Sequence, residues 1–387
     1  MYRVALIASH VIQYQAPFFR MLAAQPDLDL TVLFCSRAGA EVYRDADMQT
    51  DLRWDLDLLG GYEHEFLRNY GRGEGAARLI NPGIVPALLF RRFDAVIFFL
   101  GWGTITSLLG MAACRMRGTP ILLFGDSSFP PPEDTLARKL RGSAMRALVG
   151  LTDAFLVSGA LNAEYYLHYG ADPARFFDVP WAIDNDRFAT ASTFAPGERE
   201  AMRERFGIRP DQLAIVFSAK LLPRKDPMTL LRAVARMQHR DRAAVIFLGH
   251  GELRAEAEQF AREHGVQAHF AGFVNQTELP KHYAMADVFV LPSLDDPRAT
   301  VINEAMACGL PIILTDRCGP SRDIAQHGDN AFVIAPGAVE ALARHLDALA
   351  ADPALRARMA RRSRVIIATW DYRRGVDGLM AALRATC

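Results

Sequence analysis

Short apolar runs alternate with helix-patterned segments along nearly the whole chain, and this alternation leaves few folds open. The runs RVALIAS, LTVLFCS, AVIFFL, PILLFGD and AFLVSG precede residue 180, and AIVFSA, AVIFLG, AHFAGF, VFVLPS and PIILTD follow residue 210. Near-continuous Val, Ile, Leu and Phe read as strands buried on both faces, which the intervening helices must cover. That pattern predicts parallel sheets with helices on both sides. Two such sets predict an α/β protein of two doubly wound, Rossmann-like domains facing a central cleft, with ligands at the C-terminal strand ends.

The pattern breaks around VPWAIDNDRFATASTFAPGEREAMRERFGI, where Pro180, Pro196 and small polar residues interrupt it. The expected division is a first domain over 1–185, a linker over 186–200 and a second domain over 201–368. Residues 369–387 are expected as a C-terminal helix placed to pack back on the first domain. The uncharged stretch Ala95 to Cys114 is long enough to cross a bilayer, but Gly101-Trp102-Gly103 divides it into a strand, a turn and a helix. Lys plus Arg equals Asp plus Glu at 44 each, so no net field attracts nucleic acid. The five cysteines are scattered without a CxxC spacing, against a disulfide framework or zinc knuckle. The N-terminus lacks the features of a signal peptide, and a cytoplasmic location is expected.

The stretch PSLDDPRATVINEAMACGLPIILTD, Pro292 to Asp316, sets the functional question. A strand ends at Pro292, a loop carries Asp295 and Asp296, and a helix from near Thr300 stops at Gly309 and Pro311. Asp296 and Glu304 thus lie at the ligand-binding edge beside apolar segments, where carboxylates need partners. A plainer account makes Asp296 loop decoration and Glu304 a complement to the positive helix end.

Pro292, Ser293, Asp296, Pro297, Glu304, Ala305, Ala307, Gly309 and Pro311 fall on a pattern of two acids separated by seven residues. In this the chain resembles the retaining GT-B glycosyltransferases of family 4, the glycosyl transferases group 1 type. The resemblance runs from about Phe217 to Val333 and resumes in VPWAIDNDRF. It implies that Asp296 contacts the donor sugar, that Glu304 contacts the nucleotide ribose, and that backbone amides over Arg298, Ala299 and Thr300 face sugar and phosphate. FSAKLLPRKDP is similar to the family's cationic loop. There Lys220 takes the usual arginine place and Lys225 the lysine place, with Arg224 as an alternative fork for the leaving diphosphate. FLGHGELR, with Gly249 and Gly251, is similar to a turn lining the nucleotide, and Val274 or a neighbour is implied to meet the base. Ala331 departs from the family's glycine.

The N-terminal half departs further. Where relatives have a glycine-rich loop, this chain has SHVIQYQAPFFRML, resembling a subgroup whose acceptor cleft would include His10, Gln13 and Tyr14, with Trp102 and Asp126 beside them. Asp126, in the place of a histidine common among relatives, either positions the acceptor hydroxyl as a catalytic group or caps a helix. The catalytic set implied is Asp126, Lys220, Lys225 and Asp296, with no metal and no cofactor. The partners implied are a nucleoside-diphosphate sugar donor and a glycan, lipid-linked or small-molecule acceptor, and no nucleic acid. Alternatives are a sugar-nucleotide epimerase or a non-catalytic nucleotide-sugar-binding subunit. Finally, Leu136 to Leu151 can be drawn as a basic amphipathic helix, which allows peripheral contact with the inner membrane face.

Overall fold

The computed structural model describes residues 1–45, 47–48, 50–71 and 78–387, and divides the chain into two compact units. The first comprises Met1–Tyr43, Leu52–Trp181 and Tyr372–Cys387; the second comprises Arg44–Asp51 and Ala182–Asp371.

In the first unit the strands are β1 (Tyr2–Ala8) and β2 (Leu28–Phe34). A short hairpin follows, β3 (Tyr43–Asp45) with β4 (Thr50–Leu52), whose middle is grouped with the second unit. Then come β5 (Glu63–Phe66), β6 (Ala95–Phe99), β7 (Ile121–Phe124), β8 (Ala154–Val157) and β9 (Phe176–Asp178). They form one sheet in the order β5-β2-β1-β6-β7-β8-β9, parallel throughout. The central strands β6, β7 and β8 are buried at every position, as their unbroken apolar sequences require when helices cover both faces. The uncharged stretch at Ala95 resolves into β6, a turn and the helix Ile105–Arg117. Thr104 caps that helix by accepting the Ser107 N–H at 3.0 Å, and Gly118 ends it in the left-handed region at φ 74°. No helix among the described residues is long and apolar enough to cross a membrane.

The C-terminal helix Tyr372–Thr386 belongs to this first unit and buries Leu379, Met380 and Leu383 in it. Tyr372 donates its hydroxyl to the Tyr14 carbonyl at 2.7 Å, fixing the helix to the turn after β1.

The second unit contains β10 (Leu213–Ser218), β11 (Ala243–Leu248), β12 (Ala268–Gly272), β13 (Val288–Leu291), β14 (Ile312–Thr315) and β15 (Ala331–Ile334). Their order is β12-β11-β10-β13-β14-β15, again parallel. Residues 186–200, read from sequence as a linker, enter two helices, Asn185–Ala191 and Glu198–Arg205. The second is tied into the unit's core: Arg203, buried, and Arg199 both pair with Asp287 at 3.0 and 2.9 Å, and Asp287 also accepts the Ala214 N–H. The small polar run and Pro196 mark only the gap between those helices, because ion pairs with distant residues leave no local sequence signal.

Candidate active site

In the second sheet the chain winds outward from β10 through β11 to β12, then returns to place β13 on the other side of β10. The loops after β10 and β13 therefore diverge from a switch point, where open α/β sheets hold ligands. Those loops are joined by the Leu294 N–H donating to the Arg224 carbonyl at 2.9 Å. The junction brings Lys225 and Asp296, both buried, into a direct ion pair. Asp296 is fixed further. Its Oδ1 accepts the Ala299 N–H at 3.3 Å, its own N–H donates to the Arg317 carbonyl, and its carbonyl accepts the Gly319 N–H. Burial lowers the Lys225 pKa below the ordinary lysine value, and the Asp296 carboxylate offsets part of that.

Ala299 precedes the helix Thr300–Ala307 with φ 41° and ψ 41°, a left-handed conformation that an alanine adopts at a cost. Such strain persists where surrounding bonds impose it, here the bond from Asp296. The arrangement sets an ammonium group and the first amides of a helix on one loop junction, the chemistry that suits a phosphate.

Glu304 lies in the same helix and is buried. Desolvation pushes its carboxyl up to about 7, against a Tyr283 hydrogen bond and the Arg187 charge, which favour the ionised form. The Tyr283 hydroxyl donates to Glu304 Oε2 at 2.8 Å. Lys220 stands apart from the Lys225–Asp296 pair. Its Nζ lies 2.8 Å from both Asp45 carboxylate oxygens and 2.8 Å from Asp47 Oδ2. Asp45 also accepts the N–H groups of Asp47 and Met48, which holds Asp47 beside it at the lysine.

Around these groups, Arg224 and Arg298 are exposed, and Thr300 and Val274 are half-buried. A Cβ at Gly249 would meet the Ala219 carbonyl oxygen at 2.2 Å, and one at Gly251 the Leu221 oxygen at 2.4 Å. The two glycines thus let the turn after β11 lie against the Lys220 loop. Sequence reasoning missed the roles of Tyr283, Asp45 and Asp47. The acids lie in a polar hairpin far from Lys220 in the chain, and only the Asp-Ala-Asp run itself would have marked them.

In the first unit, β1, β6 and β7 are neighbours, so the turns after them share one sheet edge. They carry His10, Gln13 and Tyr14, then Trp102, then Asp126, all half-buried. His10 Nδ1 lies 2.9 Å from Ser9 Oγ, Tyr14 packs edge-on against Trp181 at 5.6 Å, and Arg141 lies over the Trp102 ring at 5.6 Å. The following helix, Leu136–Gly150, is capped by Thr135 accepting the Arg138 N–H, not by Asp126. On that helix Leu148 packs inward with Gly142, Met145 and Val149. Leu136, Leu140 and the neighbouring Leu151 are 74%, 63% and 46% exposed.

Two doubly wound parallel sheets of this kind are the architecture of the GT-B glycosyltransferases. HepE of Anabaena in complex with UDP superposes with a TM-score of 0.76 at 17% identity, over 99% of this chain and 100% of that one. Residues 198–365 match the family model described as Glycosyl transferases group 1. A D-inositol 3-phosphate glycosyltransferase of Geodermatophilus obscurus is 33% identical over 56% of this chain and 49% of its own length. A GDP-mannose-dependent alpha-(1-6)-phosphatidylinositol monomannoside mannosyltransferase of Mycolicibacterium smegmatis is 33% identical over 45% of this chain and 47% of its own. The chain spans about half the length of these curated relatives.

Proposed function

We propose that the protein is a retaining, metal-independent glycosyltransferase that moves a sugar from a nucleoside-diphosphate sugar to a hydroxyl of a glycan or glycolipid precursor. The observation that carries this reading is the Lys225–Asp296 pair at the switch point, beside the first amides of the helix Thr300–Ala307. In the reaction the bond from the anomeric carbon to the leaving phosphate oxygen breaks, and the acceptor oxygen bonds to that carbon on the same face. The acceptor proton passes to the departing phosphate. Negative charge grows on the diphosphate as the bond breaks, and Lys225, with Lys220 and Arg224, stabilises it. Asp296 meets the donor sugar hydroxyls, Glu304 the ribose, and Gly249, Gly251, Val274, Arg298, Ala299 and Thr300 complete the donor site. His10, Gln13, Tyr14, Trp102 and Asp126 receive the acceptor, Asp126 positioning its hydroxyl. The helix Leu136–Gly150 touches anionic lipid.

The uridine and guanosine diphosphates in the names of similar proteins define the first donors to assay. Incubating the protein with UDP- or GDP-sugars and inositol phosphate or phosphatidylinositol acceptors, with and without EDTA, tests the reading. Product with the donor's anomeric configuration and undiminished yield in EDTA is expected. An epimerised donor without acceptor would make the protein an epimerase, donor binding without turnover a binding subunit, and rescue by magnesium or manganese would overturn metal independence.

A further inference from the structure

We propose that Tyr283 is a positioning residue for the donor nucleotide: its phenol, hydrogen-bonded to Glu304, aims that carboxyl at the ribose. The inference rests on the ribose role assigned to Glu304 above. Tyr283 is fully buried on the helix Leu279–Ala284, its ring set between Phe188 and Phe289 at centroid distances of 6.4 and 6.0 Å. Packing leaves the ring one orientation, and in it the hydroxyl donates to Glu304 Oε2 at 2.8 Å. Ser218, at the end of β10, is a further hydrogen-bonding neighbour of the phenol and ties it to the loop edge that carries Lys220.

The chemistry favours one protonation pattern. Burial raises the Tyr283 pKa well above the ordinary phenol value, so the hydroxyl stays a donor at every working pH. Glu304 is different, since burial raises its ionisation to about 7 even against the Tyr283 hydrogen bond and the Arg187 charge. The groups facing it are Tyr283 from one helix, Arg187 from the helix Asn185–Ala191, and the Cys308 thiol one turn along its own helix. Of these, Tyr283 alone makes a short hydrogen bond to the carboxylate, which favours the charged form and engages Oε2. Ribose hydroxyls then fall to Oε1, and as donors they bind the charged form better.

The test is calorimetric affinity for UDP and GDP from about pH 5.5 to about pH 9, comparing wild type with Tyr283→Phe. The probe's own phosphate ionisation is common to both proteins and cancels. Wild-type affinity is expected to rise through about pH 7. In Tyr283→Phe the rise should move to higher pH, with affinity several-fold weaker at neutral pH and close to wild type in the alkaline limit. A uniform loss at every pH, or an unmoved profile, overturns the inference and leaves Tyr283 a core residue. Should the Phe variant not fold, fluorotyrosine at position 283, a stronger donor of nearly the same shape, must move the profile to lower pH; an unmoved profile again overturns it. Glu304→Gln separates the two readings. It should bind weakly and keep only the rise that the probe's own phosphate ionisation gives, whereas normal affinity near neutrality rejects the ribose role and this inference together. A weak Glu304→Gln beside an unmoved Tyr283→Phe profile rejects this inference alone.

Discussion

Lys225 and Asp296 stand 71 residues apart in the chain yet form a buried ion pair where the loops after β10 and β13 meet. Taking both charges out of water costs several kcal/mol each, so the pair stands only because each compensates the other. A diphosphate reaching Lys225 would compete with Asp296 for the same ammonium.

That competition separates stability from binding in Asp296→Asn. The variant leaves a buried ammonium without its counter-charge, a loss of about 3 kcal/mol that a denaturant melt would register. A phosphate restores the missing charge, so UDP or GDP affinity should hold or tighten while turnover falls with the lost sugar contact. Loss of nucleotide affinity in step with stability would contradict the phosphate role of Lys225.

Lys220 carries a related expectation. Asp45 and Asp47 both pair with its ammonium, and Asp47 is the more exposed of the two. Asp47→Asn removes one competing charge without the hydrogen bonds by which Asp45 shapes the hairpin. Nucleoside-diphosphate affinity should rise several-fold, and the gain should shrink with added salt because the pair is partly solvated. Unchanged or weaker affinity at an unchanged melting temperature would show that Lys220 serves the hairpin and not the donor.

The raised ionisation of Glu304 makes stability depend on pH in a definite direction. An unfolded glutamate ionises near 4.5 and the folded one near 7, so the folded state holds its proton more tightly. The associated stability is present in full below the unfolded value and is lost as pH rises through about 7, a change of roughly 3 kcal/mol. Glu304→Gln should flatten the fall in unfolding free energy between mildly acidic and mildly alkaline pH. A variant retaining the wild-type slope would place the titration elsewhere.

What the sequence revealed follows the range of the interactions. Buried parallel strands need unbroken apolar runs, so β6, β7, β10, β11, β13 and β14 were legible. So was the passage from β13 through the acidic loop to the helix Thr300–Ala307, whose punctuation by Pro292, Gly309 and Pro311 is local. The hairpin Tyr43–Leu52 was not, because YRDADMQTDL is polar and its acids find their partner at Lys220, far along the chain. Lys220 and Lys225 read as one cationic patch from five-residue proximity, yet the fold gives them separate carboxylates. Tyr283 and Glu304 meet across two helices, and neither helix's periodicity marks the contact.

The helix Leu136–Gly150 carries the remaining expectation. Its inward face is supplied by Gly142, Met145, Leu148 and Val149, so the first turns, with Leu136 and Leu140 at 74% and 63% exposure, have no core to cover. Lys139 and Arg141 stand exposed among them, while Arg138 and Arg146 are already paired with Asp134 and Glu133 at 2.6 and 2.9 Å. Apolar side chains interleaved with unneutralised cations suit an anionic lipid surface, where each basic residue contributes about 1 kcal/mol. Sedimentation with vesicles should therefore show binding to phosphatidylglycerol-containing bilayers, little to phosphatidylcholine alone, and a steep loss with salt. Leu136→Ser with Leu140→Ser should reduce the binding at every ionic strength, because it removes the inserted surface. Lys139→Glu should reduce it chiefly at low salt, because screening already weakens that contribution elsewhere. Equal recovery with both lipids, or no recovery with either, would make this helix an ordinary solvated face.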